Sequence, residues 1–165
     1  MIETERLVLE PLSREHVEPW TRFMLDGDAR AGLHTPEPSA SAEEAAAGLD
    51  RFADVAEMYA LRIRATGEVA GFSGFVPRTL DWGDELELGW MLLPGARGRG
   101  YATEAALVLR ATRAGRVISL IREDNPASQA VARRLGATRE RVFEYWGYET
   151  GVWVSHREPG LRSTS

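Results

Sequence analysis

The sequence lacks two residue types altogether: among its 165 residues there is no cysteine and no lysine, and all 20 basic residues are arginine. Without cysteine there can be no disulfide, no thiolate metal ligand and no thiol nucleophile, and such a composition fits a reducing compartment. Without lysine the chain has no side chain that forms a Schiff base or accepts an acetyl group on an ε-amine.

Long apolar runs and a basic charge balance are missing as well. No apolar stretch approaches the roughly 18 residues of a membrane-spanning helix, and the opening MIETERLVLE does not resemble a signal peptide. We therefore expect a cytoplasmic protein with no membrane partner. The formal net charge of −5 also disfavours a nucleic-acid partner, which requires a basic domain or stripe. His16, His34 and His156 are too scattered to indicate a metal site, so no metal is expected.

The length and the 44% hydrophobic content predict one domain, which we place at residues 1–157, with a frayed tail at 158–165. Alternating and apolar patterns predict about seven strands, at 6–9, 58–64, 69–76, 85–92, 117–121, 138–145 and 150–155. Helical patterns and capping residues predict about four helices, at 13–25, 41–55, 101–114 and 126–135. A Gly- and Pro-rich loop covers 26–40. The predicted fold is therefore mixed α+β, with an antiparallel meander over 58–92.

The segment RGRGYATEAALVLRA, Arg97 to Ala111, has the features of an anion site. It follows a predicted strand and opens a predicted helix, whose first N–H groups lack intrahelical partners and carry partial positive charge. Gly98 and Gly100 allow the backbone to approach a ligand, and Arg97 and Arg99 add charge. The segment matches neither the Walker loop nor the dinucleotide-binding fingerprint. The alternative is an ordinary solvated turn before a helix.

Three stretches together resemble the GNAT acyltransferase superfamily. RGRGYA fits the pattern Q/R-x-x-G-x-G/A, whose loop holds the pyrophosphate of acetyl-CoA in that superfamily. The longer stretch ELGWMLLPGARGRGYATEA and the opening ETERLVLEPLSREHVEPW are similar to the branch that contains ribosomal-protein alanine and serine N-acetyltransferases. NPASQAVARRLGA is similar to that branch's asparagine-containing helix. The similarity runs over nearly the whole chain.

This resemblance implies acetyl-CoA as cosubstrate and a single domain in which the strands near 85–92 and 117–121 splay apart around the pantetheine arm. Asn125 corresponds to the asparagine that commonly bonds the arm; the alternative is that it only caps a helix or a turn before Pro126. The cofactor-binding residues that the resemblance implies are Met91, Leu92, Leu93, Arg97, Gly98, Arg99, Gly100, Tyr101, Ala102 and Asn125.

The resemblance also implies catalytic residues. Glu87 stands where several members carry a carboxylate that acts as base. Glu85 lies on the same strand face and is the second candidate; the alternative for either is an ordinary solvated carboxylate. Many members have a tyrosine seven residues after the asparagine as general acid, but here that position is Ala132. Ser128 can donate a hydrogen bond to the departing sulfur; the alternative is that it only helps to start its helix.

The acceptor is the least determined part of this interpretation. The resemblance favours N-acetylation of a primary amine, with a peptide N-terminus narrowly ahead of a small molecule such as an amino acid, polyamine or antibiotic. An acyl-CoA-binding regulatory domain without turnover, or a nucleic-acid-binding module, are the other function classes. Trp82, Trp146 and Trp153 either line an acceptor groove or cover the sheet edge. Either a monomer or a homodimer is compatible with the sequence.

Overall fold

The computed structural model describes residues 1–158. From Pro159 onward the predicted tail lies outside the described residues. The helices in this part of the chain are α1 (Val17–Leu25), α2 (Gly27–Arg30), α3 (Ala42–Val55), α4 (Tyr101–Ala111) and α5 (Pro126–Arg134). The strands are β1 (Ile2–Glu3), β2 (Leu7–Pro11), β3 (Glu57–Ile63), β4 (Val69–Leu80), β5 (Gly83–Leu92), β6 (Gly115–Arg122), β7 (Thr138–Tyr145) and β8 (Tyr148–Arg157).

All eight strands form one sheet in the order β1-β2-β3-β4-β5-β6-β8-β7. Neighbouring strands are antiparallel except β5 and β6, which run parallel. Short turns join β3 to β4 and β4 to β5, as the predicted meander requires, whereas α4 makes the crossover from β5 to β6 that a parallel pair needs. The sheet therefore changes from antiparallel to parallel at one place, between β5 and β6.

Helices cover both faces of the sheet. On one face α4 packs over the sheet through Ala105, Ala106 and Leu109, against Leu7, Leu88 and neighbouring apolar residues. On the opposite face the core contains Trp20 and Phe23 of α1 and Leu49 of α3, packed on Met58 and Phe72 of the sheet. Since side chains alternate between the two faces along a strand, each face of β5 belongs to a different core.

The predicted α+β class and the meander are confirmed. The structure adds a two-residue strand, β1, and a four-residue helix, α2, which lies in the segment 26–40 that we expected to be loop. The Asp26 side chain accepts a hydrogen bond from Ala29 N and so caps α2, a local signal inside a Gly- and Pro-rich stretch. Among the described residues, no helix combines the length and apolar character that a membrane crossing needs.

Candidate active site

A gap opens in the sheet between β5 and β6. The two strands share one registered pair, Glu87 with Ile118. One residue further along, the Ser119 hydroxyl donates to the Leu88 carbonyl over 2.7 Å. Both strands then continue, to Leu92 and Arg122, without another registered pair. The strands thus part toward their carboxyl ends, as the resemblance implied.

A cleft of about 1510 Å³ runs through this gap and is lined from both faces of the sheet. The face that carries α4 contributes Gly98, Gly100 and Thr103 from the α4 end and Ser128 from α5. We call this side the loop end of the cleft. The opposite face contributes His34, Arg78, Glu87, Tyr145 and Trp146, which together define the carboxylate end. One continuous cavity therefore joins the predicted anion loop to the predicted base.

The N-terminus of α4 has no side-chain cap, unlike those of α3 and α5. Gly100 is its N-cap residue, whereas Ser41 caps α3 and Asn125 caps α5 through their side chains. Gly98 and Gly100 have φ angles of 73° and 82°, in the left-handed region that favours glycine. The first N–H groups of α4 consequently remain available, and the helix dipole favours an anion there.

The two arginines of this loop behave differently. The Arg97 guanidinium turns toward α2, where Nη2 donates to the carbonyls of Asp28 at 2.8 Å and Ala29 at 3.1 Å. The Arg99 side chain is exposed and makes no hydrogen bond within the described chain. Its carbonyl accepts from Arg6 Nη1 at 2.7 Å, and Arg6 also pairs with Glu104. The sequence analysis missed Arg6, which lies between β1 and β2 and stabilises the loop through its bond to the Arg99 carbonyl.

The backbone of β5 determines which groups face the gap. Leu93 N–H donates to the Ala70 carbonyl, so the backbone of Leu93 faces β4. Backbone groups of a strand alternate between its two neighbours, so Met91 also faces β4. The N–H and C=O of Leu92, and those of Trp90, which we had not predicted, point instead into the gap.

The two candidate carboxylates have different surroundings. Glu87 is buried at the closed end of the gap, lines the cleft and accepts from Arg78 Nε at 2.6 Å. Glu85 does not line the cleft. It accepts from Arg116 and from the Trp82 indole, and the bonds from Arg116, which outweigh the opposing effect of burial, lower the pKa of Glu85. The structure thus separates Glu87, which faces the cleft, from Glu85, which belongs to a surface ion-pair network.

At the start of α5, the predicted residues Asn125 and Ser128 both line the cleft. The Asn125 side-chain oxygen accepts from Ser128 N at 3.1 Å, so Asn125 caps its own helix, while its amide nitrogen lies 3.5 Å from the Gly32 carbonyl. The Ser128 hydroxyl accepts from the Trp90 indole at 3.3 Å, which leaves its own proton to donate. Ala132 is fully buried and does not line the cleft.

His34 is a residue that the sequence analysis did not connect with the site. Its Nε2 lies 2.9 Å from the hydroxyl of the buried Thr150, which itself donates to the Tyr148 carbonyl. Thr150 therefore accepts from His34, the ring proton is on Nε2, and Nδ1 is left as an acceptor. Burial, together with the positive charges of Arg122 and Arg78, lowers the pKa of His34 to about 4.

The segment 26–40 crosses the cleft and is held by hydrogen bonds on both sides of it. On one side it is held by Arg97, through the carbonyls of α2. On the other, Arg122 Nη1 donates to the carbonyls of Ala31 and Leu33, each at 3.0 Å. Arg122 also pairs with Asp124 and lies over the Tyr148 ring at 3.8 Å. This segment brings His34 to the carboxylate end.

The structure resolves the alternatives for the three tryptophans. Trp82 packs on Phe143 and lies under Arg141, and Trp153 is buried beneath Arg133, so both cover the sheet. Trp146 instead lines the cleft and is 67% exposed. Within residues 1–158, no group of three or more His, Asp and Glu side chains is arranged to hold a metal ion.

With this geometry in place, comparison with known proteins identifies the family. The model of the GNAT acetyltransferase domain matches residues 6–138, which is most of the chain. The chain belongs to the GNAT acetyltransferase family. Its splayed strands and uncapped glycine loop are thus features of a GNAT domain, and the predicted superfamily is confirmed.

Individual proteins share at most a moderate fraction of identical residues with this chain. The uncharacterized protein YkkB of Bacillus subtilis (strain 168) is 30% identical over 95 residues, 54% of this chain and 55% of YkkB, so the chain spans about half the length of that curated relative. An acetyltransferase from Agrobacterium tumefaciens is 30% identical, with a TM-score of 0.74 and coverage of 94% of both chains. RimL, a ribosomal L7/L12 alpha-N-protein acetyltransferase solved in complex with coenzyme A, is 24% identical, with a TM-score of 0.75 over 93% of this chain and 95% of that one. The likeness to RimL shows the shared fold.

Proposed function

We propose that this protein transfers an acetyl group from acetyl-CoA to a primary amine by direct attack within a ternary complex. The observation that carries the proposal is the single cleft, which joins the uncapped N-terminus of α4 to the buried carboxylate of Glu87 through the gap between β5 and β6. A cosubstrate with a pyrophosphate, a long arm and a reactive thioester fits such a path. The amine then reaches the thioester from the carboxylate end.

The loop end suits the cosubstrate. The N–H groups around Gly98 to Ala102 offer donors to the pyrophosphate, with the exposed Arg99 as an added charge. Backbone groups of Trp90 and Leu92 face the gap, where amides of the pantetheine arm replace the missing strand partner. RimL, of the same fold, was solved with coenzyme A, which supports this assignment.

The carboxylate end suits the chemistry. The amine nitrogen attacks the thioester carbonyl carbon, the new C–N bond forms, and the C–S bond breaks to release the CoA thiolate. The ammonium proton passes to Glu87, directly or through a water molecule, and Arg78 holds that carboxylate in place through its Nε–H bond. The Ser128 hydroxyl, held by Trp90, donates a hydrogen bond to the departing sulfur.

The charges at the carboxylate end bear on the acceptor. Arg78 and Arg122 are each paired with a carboxylate, Glu87 and Asp124. Arg30, which also lines the cleft, is buried and donates to the carbonyls of Thr35 and Glu37. A free amino acid would bring a carboxylate to this end of the cleft, where Arg78, Arg122 and Arg30 are already engaged, a cost that a peptide N-terminus avoids. We therefore place a peptide α-amine ahead of small amino acids.

The test is a panel of acceptors, each with acetyl-CoA: peptides that begin with Ser or Ala, free amino acids, polyamines and alcohols. Because the chain contains no cysteine, CoA is the only thiol produced in the assay. Because it contains no lysine, no ε-amine of the enzyme competes for the acetyl group. We expect thiol release and a product 42 Da heavier, as acetylation requires, with peptides first.

Each other outcome decides between functions. Turnover confined to small amines contradicts the peptide acceptor, and turnover of alcohols alone contradicts N-acetylation. Binding of CoA without consumption by any acceptor supports the acyl-CoA-binding alternative. Glu87→Gln serves as the control for chemistry within the cleft, because a contaminating acetyltransferase would be insensitive to it.

A further inference from the structure

The turn between β7 and β8 has an unusual backbone for its sequence. Tyr145 pairs with Tyr148, so the loop consists of Trp146 and Gly147, with φ angles of 52° and 80°. Positive φ at both central residues is typical of a type I′ turn, in which Asn, Asp or Gly is favoured at the first position. Trp146 is the only non-glycine residue with positive φ among the described residues. A bulky residue there carries a steric cost that asparagine or glycine would reduce.

Packing within the chain does not compensate for this cost. The Trp146 side chain is 67% exposed, and its ring contact is with its sequence neighbour Tyr145, at 6.3 Å between centroids. Trp20, by contrast, is 3% exposed, and its indole donates to the Ala45 carbonyl. A strained backbone that holds an uncovered aromatic ring at the edge of a cleft points to a ligand, since strain of this kind is concentrated at functional sites.

The neighbours of Trp146 indicate the chemistry of that ligand. Tyr145 lines the same end of the cleft, and the neutral ring of His34 meets it edge-on at 5.0 Å. The arginines that line this end are occupied by carboxylates or carbonyls. The rim therefore offers flat, uncharged surfaces, which bind aromatic or large apolar groups by stacking.

We propose that Trp146 is the platform on which the acceptor's side chain stacks, and that the enzyme selects peptides with an aromatic or large apolar residue among their first two positions. This inference rests on the proposed peptide N-acetyltransfer and adds the class of acceptor to it. The backbone strain at Trp146 is retained because the ring contacts substrate.

The test uses a substitution that separates function from stability. Trp146→Asn places the residue preferred in a type I′ turn at this position, so it should raise the melting temperature by roughly 2–4 °C while removing the ring. The matched control Trp146→Phe keeps both an aromatic ring and the strained backbone. Each protein is assayed with Ser-Gly-Gly-amide, Ser-Phe-Gly-amide and Phe-Ser-Gly-amide, and CoA binding is measured separately.

For the wild type we expect kcat/KM to be about 2–10-fold higher for one phenylalanine peptide than for Ser-Gly-Gly-amide, the range that an aromatic contact provides. Trp146→Asn should reduce this ratio to near one, with CoA binding unchanged, and Trp146→Phe should retain most of it.

A wild type without the preference, or a Trp146→Asn variant that keeps it, overturns the inference while peptide acetylation stands. A variant that is less stable than wild type would show that the turn needs tryptophan structurally, which also overturns it. If no peptide is acetylated, the peptide acceptor fails and this inference with it, whereas turnover of small amines would leave N-acetylation itself standing.

Discussion

The two ends of the cleft are built in different ways. The loop end is made by backbone groups of consecutive residues, Gly98 to Ala102, and depends on the absence of side-chain bulk. The carboxylate end is made by side chains from separate segments: the segment before α3, β4, β5 and the β7–β8 turn. Added atoms should therefore abolish cosubstrate binding at the loop end, whereas removal of a functional group should abolish the chemistry at the carboxylate end.

The largest effect should follow from added bulk at the loop end. Gly98→Trp should abolish the CoA-dependent rise in melting temperature, because the side chain occupies the approach of the pyrophosphate to the loop. Gly67 is a matched control: it has a φ of 76° against 73° for Gly98, and an added Cβ meets nothing within 4 Å at either position. Gly67→Trp should cost a similar free energy of unfolding, about 1–2 kcal/mol, and retain the full CoA response.

Gly98 is preferred to Gly100 for this experiment. A Cβ at Gly100 would lie 3.3 Å from Arg6 Nη2, so substitution there would disturb the bracing arginine as well as the ligand path. If folded Gly98→Trp, checked by circular dichroism, keeps the whole CoA-induced shift, the pyrophosphate binds elsewhere.

The next largest effect should follow from removing a functional group at the carboxylate end. Glu87→Gln should lower kcat about 100-fold or more and leave CoA affinity nearly unchanged, since it removes the proton acceptor and not a cofactor contact. The loss should shrink as pH rises and more of the amine is unprotonated. Glu85→Gln breaks a comparable arginine pair outside the cleft and should leave kcat unchanged.

The result of that comparison is decisive for the assignment. Equal kcat values for Glu87→Gln and wild type at neutral pH would remove Glu87 from the mechanism. A loss confined to Glu85→Gln would mean that the wrong carboxylate of the strand had been chosen.

The contrast between a loop end built from consecutive residues and a carboxylate end built from separate segments also explains how much of the molecule the sequence could predict. The meander, the Gly98–Gly100 loop and the helix that follows it are encoded by short, contiguous patterns, and they were predicted. Arg78 was not, because β4 continues to Leu80, four residues beyond its predicted end at Val76. The register pairs Arg78 with Glu85, and its side chain reaches diagonally to Glu87, two residues further along β5. His34 and Trp146 meet the cleft only through contacts between distant segments, which no local pattern records.

Asn125 illustrates a second limit. A side-chain amide carries both an acceptor and a donor, so a capping role and a cofactor role have the same sequence signature. The structure shows that the oxygen caps α5 and that the nitrogen lies near the Gly32 carbonyl. Only an experiment that separates the two ends of the amide can decide whether the nitrogen also serves the cosubstrate.

A serine at this position provides that separation, with a smaller expected effect. Asn125→Ala should cost about 1 kcal/mol in the free energy of unfolding, whereas Asn125→Ser, which can still cap α5, should recover most of it. If the amide nitrogen bonds the pantetheine arm, both variants should weaken CoA binding by about 2–10-fold, the value of one hydrogen bond. Full recovery of CoA affinity in Asn125→Ser would restrict Asn125 to helix capping. Calorimetric titration with CoA and urea unfolding provide the two measurements.

The smallest effect concerns His34 and pH. Its pKa is about 4 in the folded protein, against an ordinary value near 6.5, so the unfolded chain takes up a proton first as the pH falls. The free energy of unfolding therefore has its full value above about pH 6.5, as far as His34 is concerned, and it falls progressively between pH 6.5 and pH 4. His34→Gln, whose amide can still donate to Thr150, should reduce the difference in unfolding free energy between pH 7 and pH 5 by on the order of 1 kcal/mol.

His156→Gln changes an exposed histidine and serves as the control for urea unfolding at both pH values. Identical pH dependence in wild type and His34→Gln would mean that the ring proton on Nε2 is not held by Thr150 in a desolvated site, and that the carboxylate end of the cleft is open to water at this point.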